Sequence, residues 1–130
     1  MTTTILLADD DAMLLEALSI RLQAEGYRVI TLTDGYQALQ QSIQLQPDLL
    51  VLDVNMPAGD GFSVLTRAAR VGNVLSDVPV IFMTGEDSPR VDHAVRDHGA
   101  FAVLRKPFAY EALSETIAAA LAYGPAHSAA

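Results

Sequence analysis

Asp9, Asp10 and Asp11 follow directly on the apolar run Ile5 to Ala8, and Asp53 closes a second apolar run, Leu49 to Leu52. Carboxylates gathered at the ends of buried segments must be protonated, paired or bound to a cation. Ligands that are all oxygen suit a hard cation, and magnesium takes one or two carboxylates together with waters and phosphate oxygens. A carboxylate beside such a cation can also attack phosphorus and form an aspartyl phosphate. That reaction needs positive charge on the phosphoryl oxygens and a hydrogen-bond donor close by. Thr84, in "FMTGED", and Lys106, in "VLRKPF", bring a hydroxyl and the chain's single lysine to the ends of two further apolar runs. Each residue has a plainer reading. The aspartate triplet suits a helix N-cap and its favourable dipole, although capping needs only one of them, and Asp11 is placed for it. Thr84 suits a turn before Gly85, and Lys106 suits a solvated loop. The plainer readings leave Asp53 unexplained, and they do not say why acids, hydroxyl and ammonium all follow strand ends.

The elements that would position these groups can be read from hydrophobic periodicity. The runs Ile5–Ala8, Leu49–Leu52, Val80–Met83 and Ala100–Leu104 are near-continuously apolar. Such strands are expected to be buried on both faces, as in a parallel sheet between helix layers. Arg28 to Thr33 is more polar and reads as a fifth strand at an edge. Helical spacing separates the strands: Leu14, Leu18 and Leu22; Leu39 and Ile43, capped by Asp34 and ended before Pro47; Leu65 and Ala69; Val91 and Val95, ended at Gly99; Leu113, Ile117 and Leu121. His93 and His98 read as ordinary helix residues. A strand-helix unit repeated five times predicts an α/β doubly wound three-layer sandwich. In such a sheet, ligands bind beyond the carboxyl ends of the strands, at the switch point. If strands 1 and 3 are neighbours, Asp9, Asp10 and Asp53 share one crevice. Residues 1–123 read as one domain, and 124–130, "GPAHSAA", as a flexible tail or the start of a linker.

Composition narrows the function classes. The net charge is −8, from 16 acidic and 8 basic residues, and such a surface repels phosphate backbones, so direct nucleic-acid binding is not expected. With no cysteine, there is no disulfide, thiolate or zinc–cysteine site. No apolar run reaches the length of a membrane span, and the start lacks a signal-peptide pattern, so a cytoplasmic location is the expectation.

In combination, "LLADDD", "LLVLDVNMPAGDGF", "VIFMTG" and "LRKPF", in that order and spacing, resemble the receiver domain of two-component response regulators, of the chemotaxis-regulator, flavodoxin-like type. The resemblance covers residue 4 to about residue 122. It implies a five-stranded parallel sheet in the order 2-1-3-4-5 with five helices. It also implies that Asp53 is the phosphoacceptor and that Asp9, Asp10, Asp53 and the Asn55 backbone carbonyl form a Mg²⁺ site, with Mn²⁺ able to substitute. Thr84 and Lys106 resemble the hydroxyl and lysine that stabilise the phosphoryl group, with Thr84 also the moving switch residue. The Lys106–Pro107 bond is expected to be cis, and Gly61 to turn the chain into the third helix. Asn55 and Glu86 sit where that family tunes hydrolysis. The implied partners are a histidine kinase or histidine phosphotransfer protein as donor and an unidentified output protein, with dimerisation on phosphorylation as a further option. Phosphoryl acceptance and hydrolysis would be self-catalysed, without turnover of small substrates.

One position departs from the pattern. Val103 stands where the family often has Tyr or Phe, which puts the usual coupling of threonine to aromatic ring in question, and Phe101 lies on the same side of a regular strand. Met13 and Leu15 on the first helix, with Pro107 and Phe108, offer an apolar patch for the donor, unless Leu15 and Phe108 pack inward. Three rivals remain. An aspartyl-phosphate phosphatase would want an acid where Asn55 stands. A flavin or nucleotide module would need a Gly- or Ser/Thr-rich loop after strand 1. A receiver-like interaction module that is never phosphorylated would not need the full acid set.

Overall fold

The computed structural model describes residues 2–72, 75, 77–85 and 89–128, with 124–128 described by backbone alone. Five strands alternate with five helices: β1 (Thr4–Ala8), α1 (Ala12–Ala24), β2 (Arg28–Leu32), α2 (Gly35–Leu45), β3 (Leu49–Asp53), α3 (Gly61–Arg70), β4 (Val80–Thr84), α4 (Pro89–His98), β5 (Ala102–Arg105) and α5 (Tyr110–Ser128). All pairings are parallel, in the order β2-β1-β3-β4-β5.

Strand side chains alternate between the two faces of the sheet, and the core divides accordingly. Leu6, Ala8, Leu50, Leu52, Val80 and Phe82 pack with Ala38 of α2, Phe62, Val64 and Ala68 of α3 and Val91 of α4. Ile5, Leu7, Leu49, Val51, Ile81 and Met83 pack with Leu15, Leu18 and Leu22 of α1 and Leu113, Ile117 and Ala120 of α5. β1, β3 and β4 are buried along nearly their whole length, as their unbroken apolar runs require.

One expectation is corrected. The run Ala100–Leu104, at the edge that the expected strand order gives it, is not buried on both faces: its regular part is Ala102–Arg105, and Val103 is 38% exposed. An apolar run alone does not reveal which strand lacks an outer neighbour. In α3 the buried stripe is Gly61, Phe62, Val64 and Ala68, so the inward face lies one residue before the Leu65–Ala69 pair. In α2, likewise, Ala38 and Ser42 are buried, and Leu39 only partly. The backbone of α5 is helical through Ser128.

The helix starts follow cap chemistry. Asp11 Oδ1 accepts from the N–H groups of Met13 and Leu14, both at 3.1 Å. Asp34 accepts from Gln37 N–H at 2.8 Å and Asp60 from Ser63 N–H at 2.8 Å. Gly26 and Gly99 end α1 and α4 with positive φ, at 99° and 65°.

Candidate functional site

The carboxyl ends of β1 and β3 lie side by side, with Ala8 opposite Leu52. One residue further along each strand stand Asp9 and Asp53. They continue the alternations Ile5–Leu7 and Leu49–Val51, so both lean to the same side of the sheet. Asp9 is fully buried and Asp53 nearly so. Carboxylate oxygens of Asp9, Asp10 and Asp53 lie within 4.8 Å of one another, with Asp10 exposed at the rim.

Lys106 balances part of this charge. Its Nζ donates to Asp9 Oδ2 at 2.6 Å and lies 3.4 Å from Asp53 Oδ2. The other Asp9 oxygen accepts from Asp11 N–H at 2.9 Å. Asp53 Oδ1 accepts from Asn55 N–H at 3.2 Å. Burial, and next the Asp9 charge, push the Asp53 carboxyl up to about 6, against the opposing pull of the Asn55 N–H and Lys106. Burial lowers the Lys106 ammonium, but its bond to Asp9 and the attraction of Asp53 outweigh that and leave it raised. Three carboxylates against one ammonium leave the cluster net negative, and all its donors are oxygen. The residues therefore fit a hard divalent cation such as Mg²⁺, held by Asp9, Asp10 and Asp53.

Thr84 ends β4 beside this cluster and is buried. Its carbonyl accepts from Lys106 N–H at 2.7 Å, which ties the lysine's backbone to the threonine's. The Lys106–Pro107 bond is cis. Glu86 lies outside the described residues. Val103 on β5 and Phe101 just before it are both partly exposed, and the Phe101 and Tyr123 rings are 6.3 Å apart.

The loop after Asp53 is set by two glycines. A Cβ on Gly61 would meet the Asp53 carbonyl oxygen at 2.6 Å, so only glycine lets α3 start this close beneath the acid. Gly35, at the start of α2, would place a Cβ 1.7 Å from Gly59 O, and its N–H donates to Pro57 O at 3.0 Å. Sequence reading found Gly61 but missed Gly35, whose signal is only a glycine directly after a capping aspartate. It also missed Arg90, which donates to Asn55 Oδ1 at 3.3 Å. The apolar groove beside Lys106, about 390 Å³, is lined by Leu14, Leu18, Lys106, Pro107 and Phe108. Leu15 is buried in the core, which decides for the inward alternative stated for it. Met13 is 81% exposed.

Known proteins resemble this chain in sequence and fold. The family described as "Response regulator receiver domain" matches residues 5–118. "Response regulator MprA" of Mycobacterium leprae is 40% identical over 117 residues, covering 90% of this chain and 50% of that protein. "Transcriptional regulatory protein PrrA" of Mycobacterium tuberculosis is 37% identical, covering 90% and 49%. The chain thus spans about half the length of the curated relatives it matches. Among solved structures, the chemotaxis response regulator CheY4 of Vibrio cholerae aligns with a TM-score of 0.82 at 32% identity, covering 92% of this chain and 98% of that one. A CheY-like receiver domain from Methanospirillum hungatei aligns at 0.86 and 25% identity, covering 94% and 95%.

Proposed function

The chain belongs to the response regulator receiver domain family of two-component signalling, and on that premise we propose that Asp53 is its phosphoacceptor. The observation that carries this reading is the convergence of Asp9, Asp10 and Asp53 within 4.8 Å, with Lys106 3.4 Å from Asp53. A histidine kinase or histidine phosphotransfer protein donates the phosphoryl group. An Asp53 carboxylate oxygen attacks phosphorus in line, and the P–N bond to the donor imidazole breaks with its electrons returning to nitrogen. With its carboxyl raised only to about 6, Asp53 is mostly ionised at neutral pH and remains a nucleophile.

Lys106 already stands against the acceptor and needs only a small shift from Asp9 to pair with a phosphoryl oxygen. Asp9, Asp10 and Asp53 would hold Mg²⁺, joined by the Asn55 carbonyl. When bound, the ion supplies positive charge to the phosphoryl oxygens and makes the crowded acids tolerable. Thr84 donates its hydroxyl to the phosphoryl group, and its movement biases a two-state equilibrium that changes the surface around α4 and β5. Val103 carries none of the chemistry, so phosphoryl acceptance does not depend on an aromatic ring at that position.

The groove of Leu14, Leu18, Pro107 and Phe108 beside Lys106 suits the donor's apolar helix face. No described helix is long and apolar enough to cross a membrane, and we place the domain in the cytoplasm with its donor. The domain modifies itself and does not turn over small phosphomonoesters. Intact mass after incubation with Mg²⁺ and acetyl phosphate tests the reading. The expected result is a base-labile phosphoryl adduct on the parent chain and none on Asp53→Asn. An undiminished adduct on the variant would reject Asp53.

A further inference from the structure

β2 lies at the outer edge of the sheet and pairs with β1 alone. Arg28 N–H donates to Thr3 O at 2.9 Å, and Leu32 O accepts from Asp9 N–H at 3.1 Å. Backbone direction alternates along a parallel ladder. Arg28, Ile30 and Leu32 thus turn their peptide groups to β1, and Val29 and Thr31 turn theirs away from the sheet. Such an edge is a template for another strand. Ile30 is half-buried and belongs to neither core cluster of the described residues. Beside the edge, Ile20 of α1 is 61% exposed, and with Thr31 and Thr33 it lines a groove of about 250 Å³. Arg28, at one end of β2, is exposed. Asp34, just past the other end, is extended, with φ −145° and ψ 163°. Its Oδ1 caps α2 through Gln37 N–H, which leaves Oδ2 able to accept from another group.

We propose that this edge pairs with the same edge of a second copy, β2 against β2 in antiparallel order, with Thr31 on the two-fold axis. In that register Arg28 stands opposite Asp34 of the second copy, Val29 opposite its Thr33 and Ile30 opposite its Leu32. Opposite charges meet at both ends, apolar side chains meet on one face, and Thr31 meets Thr31 at the centre, all favourable cross-strand pairs. The symmetry repeats each contact. Val29 and Thr31, with their outward backbone groups, fall where an antiparallel pair exchanges both hydrogen bonds. The neighbouring in-phase registers set Arg28 against Leu32 or Ile30 against Asp34, an ion against a hydrocarbon in each, so one register is selected. The axis stands perpendicular to the sheet, which keeps both α1 helices on one face and covers Ile20. A charge on an edge strand commonly discourages pairing. Here the charge has its complement at the other end of the same strand, and the pairing needs no phosphoryl group.

Sedimentation equilibrium of the whole chain, without phosphodonor and at up to about 1 mM so that a weak pair is seen, tests this. The mass should rise from 13.9 kDa towards twice that value. Thr31→Lys sets like charges face to face on the axis and should abolish the rise. Thr31→Pro removes an outward N–H, at a position where an edge strand tolerates proline, and should do the same. Arg28→Asp should raise the dissociation constant about tenfold, because symmetry counts the pair twice. Val103→Arg, on β5 at the opposite edge of the sheet, should change nothing. Urea melts show that each variant is folded. A parent chain that stays at 13.9 kDa overturns the inference. So does a dimer that survives Thr31→Lys and Arg28→Asp, or one that Val103→Arg dissociates.

Discussion

Lys106 is the residue on which the charge balance of the site turns. It is the only lysine in the chain, and it sits 2.6 Å from a carboxylate that is fully buried. Removing one partner of such a pair leaves an uncompensated charge behind. Lys106→Ala is therefore expected to destabilise the metal-free protein by about 2 kcal/mol in urea melts, less than for a fully buried pair because Lys106 is partly exposed. Added Mg²⁺ should restore part of the loss. Asp53 works in the opposite sense. Its carboxyl is raised from 3.8 to about 6 in the fold, so the native state binds its proton more tightly than the unfolded chain does. The resulting stability is present in acid and is lost as pH rises from about 4 to 6. Without Mg²⁺, the urea midpoint of the parent should fall across that window, and Asp53→Asn should flatten the fall. An equally steep fall in the variant would place the cause elsewhere.

At the scale of elements, the turn after β3 is held by α2 and α3 together. Gly35 leaves no room for a Cβ against Gly59 O, at 1.7 Å. Gly35→Ala must push the β3–α3 loop away, at a cost near the top of the overpacking range, about 3 kcal/mol. Asn55 and Met56 lie in that loop, so the same variant should also slow adduct formation with acetyl phosphate, measured at a urea-free temperature where it remains folded. Slowed chemistry without loss of stability would contradict the steric account. The helix caps, by contrast, were legible from sequence: Asp11 and Asp34 accept the N–H bonds their positions predict. Caps are local, and their geometry spans only three or four residues. The inward face of α3 was not legible, because Leu65 looks more apolar than Ala68, yet Ala68 is buried and Leu65 only partly so. Leu14 and Leu15 show the same limit. Both are leucines at the start of α1, yet Leu15 enters the core and Leu14 lines the groove.

For the whole molecule, the site is a stored electrostatic tension within an acidic surface. A ligand that binds only the folded state stabilises it by mass action, about 2.7 kcal/mol at a concentration one hundred times its dissociation constant. Mg²⁺ should accordingly raise the urea midpoint, by more at pH 7.5 than at pH 5, where protons compete at Asp53. An equal rise at both pH values would argue against Asp53 as a ligand. With a net charge of −8, the domain should not bind duplex DNA even at low salt, as a mobility-shift titration would show.

The amino-acid sequence by itself determined the fold class, the strand order implied by the resemblance and the set of groups at one sheet edge. It could do so because buried parallel strands need unbroken apolar runs, and the polar residues that end them fall at the edge where ligands bind. Only the tertiary structure decided which atoms meet. Lys106 and Asp9 are 97 residues apart in the chain, and no local pattern encodes their contact. The partial exposure of β5, the choice between Leu14 and Leu15 and the hold of Arg90 on Asn55 all depend on what packs from elsewhere. Burial and pairing are properties of neighbours in space, and a sequence orders only neighbours along the chain.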